Sequence, residues 1–514
     1  MTVDRLNELL LACSLVLLVA VAAVRLSSRS GLPTLLIYLG IGVAMGEEGL
    51  GMDFSDPALM QVLGYAALVM ILAEGGLATK WRDIKPAVPG AAVLATAGVA
   101  ISVFVTAAAA HFLIGLSWQL SLILGAVVSS TDAAAVFSVL RRVPLPRRLS
   151  GMLEAESGFN DAPVVILVLA FSQLATDPMP WYRLIGMIVF QLVVGLAAGL
   201  AVGKLGEWGM RHVALPSSGL YPIAVLALCV LSYAAGALAQ GSGFLAVYIT
   251  GLILGNARLP HRPAVRGFAD GVAWIAQIGL FVLLGLLVTP SALLRDFWPA
   301  ILIGLALTVV ARPLSVLACM TPLRMPWREQ VLMSWAGLRG AVPIVLATIP
   351  MVAGVGQSDR IFNIVFVLVV VYTLIQGPTL PWLARVLRLG DGDGATDVEI
   401  ESAPLERLRG HLLSVSIPAQ SRMHGVEVGE LRLPQGSAVT LVVRGGKSFV
   451  PLPTTVLMRG DELLVVATDA VRDHAEQRLL AVGRGGKLAG WLGRHPNPGP
   501  PGAAGAPGRS APSR

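Results

Sequence analysis

Thirteen apolar blocks, each near the roughly 20 residues that carry a helix across a bilayer, recur between Leu6 and Leu387. The loops between them are too short and too polar for the blocks to be layers of one soluble core. A chain of 514 residues would otherwise suggest about three or four globular domains; here it reads as one polytopic membrane unit with an appendage. Composition agrees: 13% of the residues are charged, against about 25% in soluble domains. After Gly390 the composition becomes that of a soluble protein. A soluble enzyme, a secreted disulfide scaffold and a disordered chain are thereby excluded. Cys13, Cys229 and Cys319 sit inside apolar blocks at remote spacings and read as packing residues. The first block, Leu6–Leu26, follows Asp4, Arg5 and Glu8, a poor basic leader, and reads as a retained span.

An odd number of spans puts the two ends of the unit on opposite sides of the membrane. Basic residues sort the loops into two sets. One set holds Lys80, Arg82 and Lys85; Arg141, Arg142, Arg147 and Arg148; Arg258, Arg262 and Arg266; Arg324 and Arg328; Arg385 and Arg388. The other is poor in bases and carries Glu47, Glu48, Asp53 and Asp56. The positive-inside rule places the first set, and with it the C-terminal appendage, in the cytoplasm. The same rule accounts for the net charge of +7, which therefore does not indicate nucleic-acid binding.

Two blocks are interrupted. The fifth, Gln119–Leu140, carries Ser129, Ser130, Thr131 and Asp132 at mid-membrane depth. The twelfth, Gln330–Val352, carries Gly337, Arg339, Gly340 and Pro343. Such breaks predict unwound helices whose freed carbonyls and helix ends line an ion site. Taking spans 1–6 and 8–13 as two halves, each broken span is the fifth of its half, as an inverted repeat requires.

Ionisable residues inside a bilayer cost about 2.5–3.5 kcal/mol each on insertion scales and are functional candidates by default. Glu74, Asp132, Glu156, Asp161 and Arg339 meet that criterion. Asp161 is placed about one turn inside the sixth span, Ser157–Ala175, and shares a helix face with Ser157 at i, i+4. A hydroxyl and a carboxylate aimed at one point suit a hard alkali cation; no His or Cys accompanies them, so a transition-metal site is not indicated. Burial disfavours a bare carboxylate charge, so a proton and a monovalent cation can compete for Asp161. A carrier that holds one or the other, never both, exchanges them one for one as it moves between two faces. Glu156 and Arg339 are expected to pair, Asp132 to cap a half-helix, and Glu74 to be either a second-shell ligand or an interfacial residue.

SSTDAAAVFSVL, LEAESGFNDAPVV and SWAGLRGAVPIVLA resemble the signatures of bacterial NhaP-type monovalent cation/proton antiporters over about residues 6–388. The resemblance implies an all-α membrane fold of about 13 helices with inverted repeats and two broken crossing helices. It also implies a homodimer in the cell inner membrane, in contact with lipid, whose six-helix core moves like an elevator. By the same resemblance Asp161 carries the ion, Ser157, Thr131 and Glu74 help coordinate it, and Asn160–Asp161 marks the electroneutral branch. Glu156 with Arg339 and Asp132 with Asn160 would hold the broken helices.

Residues 390–404 are glycine-rich and acidic and read as a linker. Residues 405–483 read as a small α+β domain. HLLSVSIP, AVTLVVRGG, SFVPL and DELLVVAT are β-type runs, and HGVEVGEL and AVRDHAEQRLLAV read as helices. GGKS at Gly445–Ser448 lacks the first glycine of a phosphate loop and reads as a hairpin turn. The run resembles the C-terminal subdomain of regulator-of-potassium-conductance modules (TrkA-C-like) without their nucleotide-binding half. It implies a dimer clamp or a sensor, with a cyclic dinucleotide among the ligands such subdomains take; no other cofactor is expected. Residues 484–514 are Pro/Gly-rich and basic, and disorder is expected there. The expected function is electroneutral potassium/proton antiport, with sodium/proton antiport and a ligand-gated cation channel as the alternatives, and no nucleophile–base or metal constellation suggests an enzyme.

Overall fold

A computed structural model describes residues 3–30, 34–52, 54, 56–132, 136, 145–176, 180–213, 215–389, 399–405, 410–418, 421–468 and 470–489. The chain divides into a helical unit, Met1–Gly392, and a C-terminal unit, Asp393–Arg514. Among the described residues eight helices are long and apolar enough to cross a membrane, and five shorter apolar helices accompany them. With the short helix Trp327–Trp335 added to these, they are in chain order α1 (Val3–Ser30), α2 (Thr34–Met45), α3 (Pro57–Ala78), α4 (Val88–Ile114), α5 (Trp118–Val127), α6 (Arg147–Thr176) and α7 (Trp181–His212). There follow α8 (Leu220–Leu238), α9 (Gly243–Asn256), α10 (Arg262–Leu286), α11 (Pro290–Met320), α12a (Trp327–Trp335), α12b (Ala341–Val352) and α13 (Ser358–Val386). Each apolar block of the sequence overlaps one of them, except that the twelfth is divided between α12a and α12b. The protein is a multi-pass membrane protein.

The helices form two groups. In one, α1–α3 and α7–α10 pack together; in the other, α4–α6 and α11–α13 do. With no hydrophobic drive between helices in lipid, close approach depends on small residues. A Cβ on Gly42 of α2 would overlap the Val282 carbonyl of α10, and one on Gly285 would overlap that of Leu39. Gly195, Gly199 and Gly203 give α7 a flat stripe against α9, where the Thr250 hydroxyl donates to the Gly199 carbonyl at 3.0 Å.

The second group carries the irregular turns. α4 contains a π-helical turn at Leu94–Gly98 and α11 one at Ala306–Ala311, and the two helices pack on each other there. They are the fourth spans of the two halves, adding a second matched pair to the broken fifth spans. In α11 Pro313 follows at once; lacking an N–H and crowding the turn before it, its ring favours a widened turn. α5 ends at Val127, and α12 unwinds from Ala336 to Gly340.

The expected start of the sixth span at Ser157 is too late. α6 begins at Arg147, because Leu149, Met152, Leu153 and Ala155 are all buried against the second group. Asp161 thus lies mid-helix, not one turn inside. The continuation of the fifth block through Ala133–Ala135 and Phe137–Leu140 lies outside the described residues, as do Arg141 and Arg142.

The C-terminal unit holds an antiparallel five-stranded sheet in the order β1-β2-β5-β3-β4: β1 (Glu399–Leu405), β2 (Gly410–Ser416), β3 (Ser437–Arg444), β4 (Lys447–Phe449) and β5 (Glu462–Thr468), with helix α14 (Arg472–Gly485). Three expectations are corrected. Residues 399–404, assigned by composition to the linker, form with Leu405 an edge strand paired with β2, where acidic residues and a proline are tolerated. HGVEVGEL is not a helix: Gly425 has φ +82° and only Val428–Leu431 forms a 3₁₀ turn, closed by a Glu427/Glu430 capping box. The Lys487 ammonium beside Glu430 holds that carboxyl below the usual range. Residues 484–489, expected in the tail, complete α14 and a 3₁₀ turn; 390–398 and 490–514 lie outside the described residues. The GGKS hairpin is as expected, since Arg444 pairs with Lys447 and both intervening glycines have positive φ.

Asp461 anchors the unit. Fully buried, it accepts from Arg444 Nε at 2.8 Å and Nη2 at 2.7 Å and from the Met458 N–H at 2.8 Å. Asp461→Ala should cost roughly 2–4 kcal/mol and make this unit far more sensitive to protease than the helical unit. Unchanged cleavage kinetics would show that the network carries little stability.

Candidate ion-binding site

The two unwound segments meet. The Asp132 N–H donates to the Leu338 carbonyl at 2.9 Å, and Arg339 Nη1 donates to the carbonyls of Ser129, at 2.9 Å, and Ser130. Thr373 of α13 caps the Arg339 carbonyl at 3.2 Å. Backbone groups freed by each break are therefore taken up by the other. The Asp132 carboxylate lies against Gly340, the N-cap of α12b, where a Cβ would collide with Oδ2. At this crossing only a glycine fits.

α6 runs beside the crossing and presents its polar residues to it. Ser130 Oγ donates to Asp161 Oδ1 at 2.7 Å. Ser157 Oγ donates to the Thr131 carbonyl at 2.8 Å, and Asn160 Nδ2 donates to Thr131 Oγ1 at 2.6 Å. Thr131 Oγ1 in turn reaches Glu156 Oε1 at 3.4 Å. Asp161 is 7% exposed and Asn160 not at all. The Asn160 amide oxygen has no hydrogen-bond partner among the described residues, which leaves its lone pairs open to an ion or a water.

The expected pairs are rearranged. Glu156 is held by Arg312 of α11, Nη1 to Oε1 and Nη2 to Oε2, both at 2.7 Å, with both side chains buried. Arg339 instead serves the carbonyls of the fifth span, and the Asn160 amide donates to Thr131 Oγ1. The reason is reach: Arg339 sits within the unwound strand, already opposite Ser129 and Ser130, whereas Arg312 follows a π-helical turn that aims it past Gly337. Arg312 escaped the sequence reading, its one signal being a charge inside the eleventh apolar block. Glu74 lies elsewhere, lining a cavity of about 310 Å3 with Arg266 and Asp270 of α10 and none of the residues around Asp161.

Tyr248 of α9 also escaped the sequence. Buried, with its hydroxyl unpartnered among the described residues, its ring covers Gly158, between Ser157 and Phe159, and joins the two helix groups. A Cβ at Gly158 would overlap that ring.

The donor set is oxygen throughout: carboxylate, hydroxyl, amide and peptide carbonyl. It fits a hard monovalent cation, and no cluster of three or more metal-ligating side chains occurs among the described residues. Formal charges are three carboxylates (Asp132, Glu156, Asp161) against two guanidiniums (Arg312, Arg339), an excess of one negative charge that one cation or one proton cancels.

Known proteins match this architecture. The profile of the family "Sodium/hydrogen exchanger, transmembrane" matches residues 15–386, and that of the TrkA-C domain residues 412–480. The chain is 37% identical over 473 residues to the K(+)/H(+) antiporter NhaP of Alkalimonas amylolytica, covering 90% of this chain and 82% of that protein. It is 35% identical over 488 residues to the K(+)/H(+) antiporter NhaP2 of Shewanella oneidensis, covering 91% and 83%. Over 417 residues it is 28% identical to the Na(+)/H(+) antiporter ApNhaP of Aphanothece halophytica, covering 76% and 77%. The solved structure of the sodium proton antiporter MjNhaP1 from Methanocaldococcus jannaschii at pH 8 superposes with a TM-score of 0.64 at 22% identity, over 72% of this chain and 99% of that one; this likeness shows the fold.

Breaking a buried ion pair strands a charge and costs about 3–5 kcal/mol. Arg312→Met should lower the thermal midpoint in detergent by several degrees, while Glu156→Gln/Arg312→Met should recover most of the loss. Additive losses in that cycle would deny the pairing. Gly158→Ala should fold less well or slow transport at least tenfold by wedging Tyr248 outward; full activity would mean that the contact is slack.

Proposed function

Because the chain belongs to the sodium/hydrogen exchanger family, we propose that it is an electroneutral potassium/proton antiporter that works by alternating access around Asp161. The charge count at the crossing carries this reading. With Asp132, Glu156, Arg312 and Arg339 held by one another and by the two unwound segments, Asp161 is the carboxylate left over. It binds either a dehydrated alkali cation, helped by oxygens of Ser130, Thr131, Ser157 and Asn160, or a proton. In both states the site is formally neutral, so the loaded carrier crosses a low-dielectric barrier without the cost of moving net charge. The empty, charged site does not cross, which couples the two ions. Asp161 unloads its proton on the side of lower proton activity and takes a cation there in its place.

Potassium is favoured as the cation because relatives sharing about nine-tenths of the chain are named potassium/proton antiporters, and because the C-terminal unit matches a TrkA-C domain. Oxygen ligands alone suit sodium equally. We assign the cytoplasmic C-terminal unit to control of the exchange rate, by a bound ligand or by clamping two chains of a homodimer. Glu74, in a separate cavity with Arg266 and Asp270, is left outside this assignment.

In sealed proteoliposomes, added potassium should drive proton movement at a rate that does not change with clamped voltage. Since proton and cation compete, the apparent affinity for potassium should fall up to tenfold for each pH unit of acidification once the proton dominates. Asp161→Asn should fold but lose exchange by at least a hundredfold. A voltage-following flux without coupled protons would mean a channel, and a larger response to sodium would move the substrate assignment. Removing residues 393–514 should leave exchange but change its control.

A further inference from the structure

The outer surface of the α4–α6/α11–α13 group carries a groove of about 460 Å3 between α11, α12a and α13. Val309, Pro313, Leu317, Val331 and Leu383 give it apolar walls. Its few polar groups are already committed. Ser334 Oγ donates to the Gln330 carbonyl at 2.8 Å, Gln330 Nε2 donates to the Met325 carbonyl at 2.7 Å, and Thr379 Oγ1 donates to the Ile375 carbonyl at 2.7 Å. At the inner end the Trp335 indole N–H donates to Thr379 Oγ1 at 2.9 Å. Thr308, the remaining polar residue of the lining, accepts from Gln376 Nε2 at 3.5 Å; the walls thus offer little to a water, and the guest they suit is hydrocarbon.

The mouth is of opposite character. α12a begins at Trp327, and the groove runs along it to Trp335, a depth of about 12 Å at 1.5 Å per residue. Trp327 and Trp382 are 64% and 58% exposed, at the level where aromatic side chains mark the bilayer interface. Arg324, in the turn before α12a, and Arg328, in its first turn, are exposed, and the Arg328 guanidinium stands 5.6 Å from the Trp327 ring centroid. Neither arginine pairs with a carboxylate among the described residues. The result is a chain-wide apolar slot in the membrane, opening beneath two unneutralised guanidiniums.

We propose that this groove is a binding site for an anionic phospholipid of the cytoplasmic leaflet, one acyl chain lying against α11, α12a and α13 and the phosphate held by Arg324 and Arg328. The chain lies along α12a as far as Trp335, the last helical residue before the unwound segment that bears Arg339. Lipid in the groove therefore packs the helix on which the crossing hangs, and its loss leaves α12a free to shift.

Native mass spectrometry of the full-length protein in detergent, titrated with phosphatidylglycerol or with phosphatidylcholine of the same chains, tests this independently of transport. One phosphatidylglycerol should be retained at about tenfold lower lipid concentration than phosphatidylcholine, as two arginines at a lipid headgroup imply. Arg324→Gln/Arg328→Gln should erase that preference and leave phosphatidylcholine retention unchanged. Leu317→Phe/Val331→Phe, which fills the groove, should lose the lipid whatever its headgroup. No preference in the wild type, or a preference that survives both double variants, would overturn the proposal. If the filled variant does not fold, Val331→Cys in a Cys13→Ser background decides. Its maleimide labelling should slow with phosphatidylglycerol and not with inorganic phosphate; labelling indifferent to the lipid would equally overturn the site.

Discussion

Two unwound strands cross inside a membrane, and each satisfies the backbone of the other. The bond from the Asp132 N–H to the Leu338 carbonyl and the bonds from Arg339 to the Ser129 and Ser130 carbonyls are what make the rest of the site possible. In hydrocarbon an unpaired backbone group costs several kcal/mol, so neither break would persist alone. Once the strands cross, their freed oxygens and hydroxyls are fixed beside α6, and Gly340 is required because a side chain there would strike Asp132. The ion site is in this sense a by-product of solving a solvation problem twice in the same place.

Burial then makes the charges interdependent. Glu156 and Arg312 are among the most expensive side chains in the helical unit to bury, and a bidentate pair with both guanidinium amines at 2.7 Å offsets that cost. Arg339 is neutralised more diffusely, by carbonyl dipoles. Asp161 receives one hydroxyl and no guanidinium. Its charge is the one the neighbouring side chains leave uncompensated, and on this the proposal that Asp161 serves the transported ions rests.

Much of this was legible in the residues. The apolar blocks, the two breaks and the charges at 132, 156, 161 and 339 all stand out, because a membrane penalises each and a chain retains them only for cause. What escaped was whatever depends on where a side chain points. Arg312 looks like one more residue of an apolar block until the π-helical turn before it turns it toward α6. Tyr248 is an ordinary aromatic in sequence and becomes notable only because Gly158 lies beneath its ring. In the C-terminal unit, Glu399–Leu405 has a linker's composition and becomes a strand because β2 offers it an edge. Periodicity sees the element's own pattern and not its neighbour's.

The halves of the helical unit share geometry but not charge. Both carry a π-helical turn in the fourth span and a break in the fifth, yet Asp132, Glu156 and Asp161 all come from the first half and Arg312 and Arg339 from the second. Had each half kept carboxylates of its own, like charges would face each other across the crossing and drive it apart. With anions on one side and cations on the other, the contact between halves includes the Glu156–Arg312 ion pair, and the formal charges at the crossing leave one carboxylate over. Repeat symmetry thus supplies two matched frames, and its breaking at five residues turns the seam between them into a site that wants one positive charge.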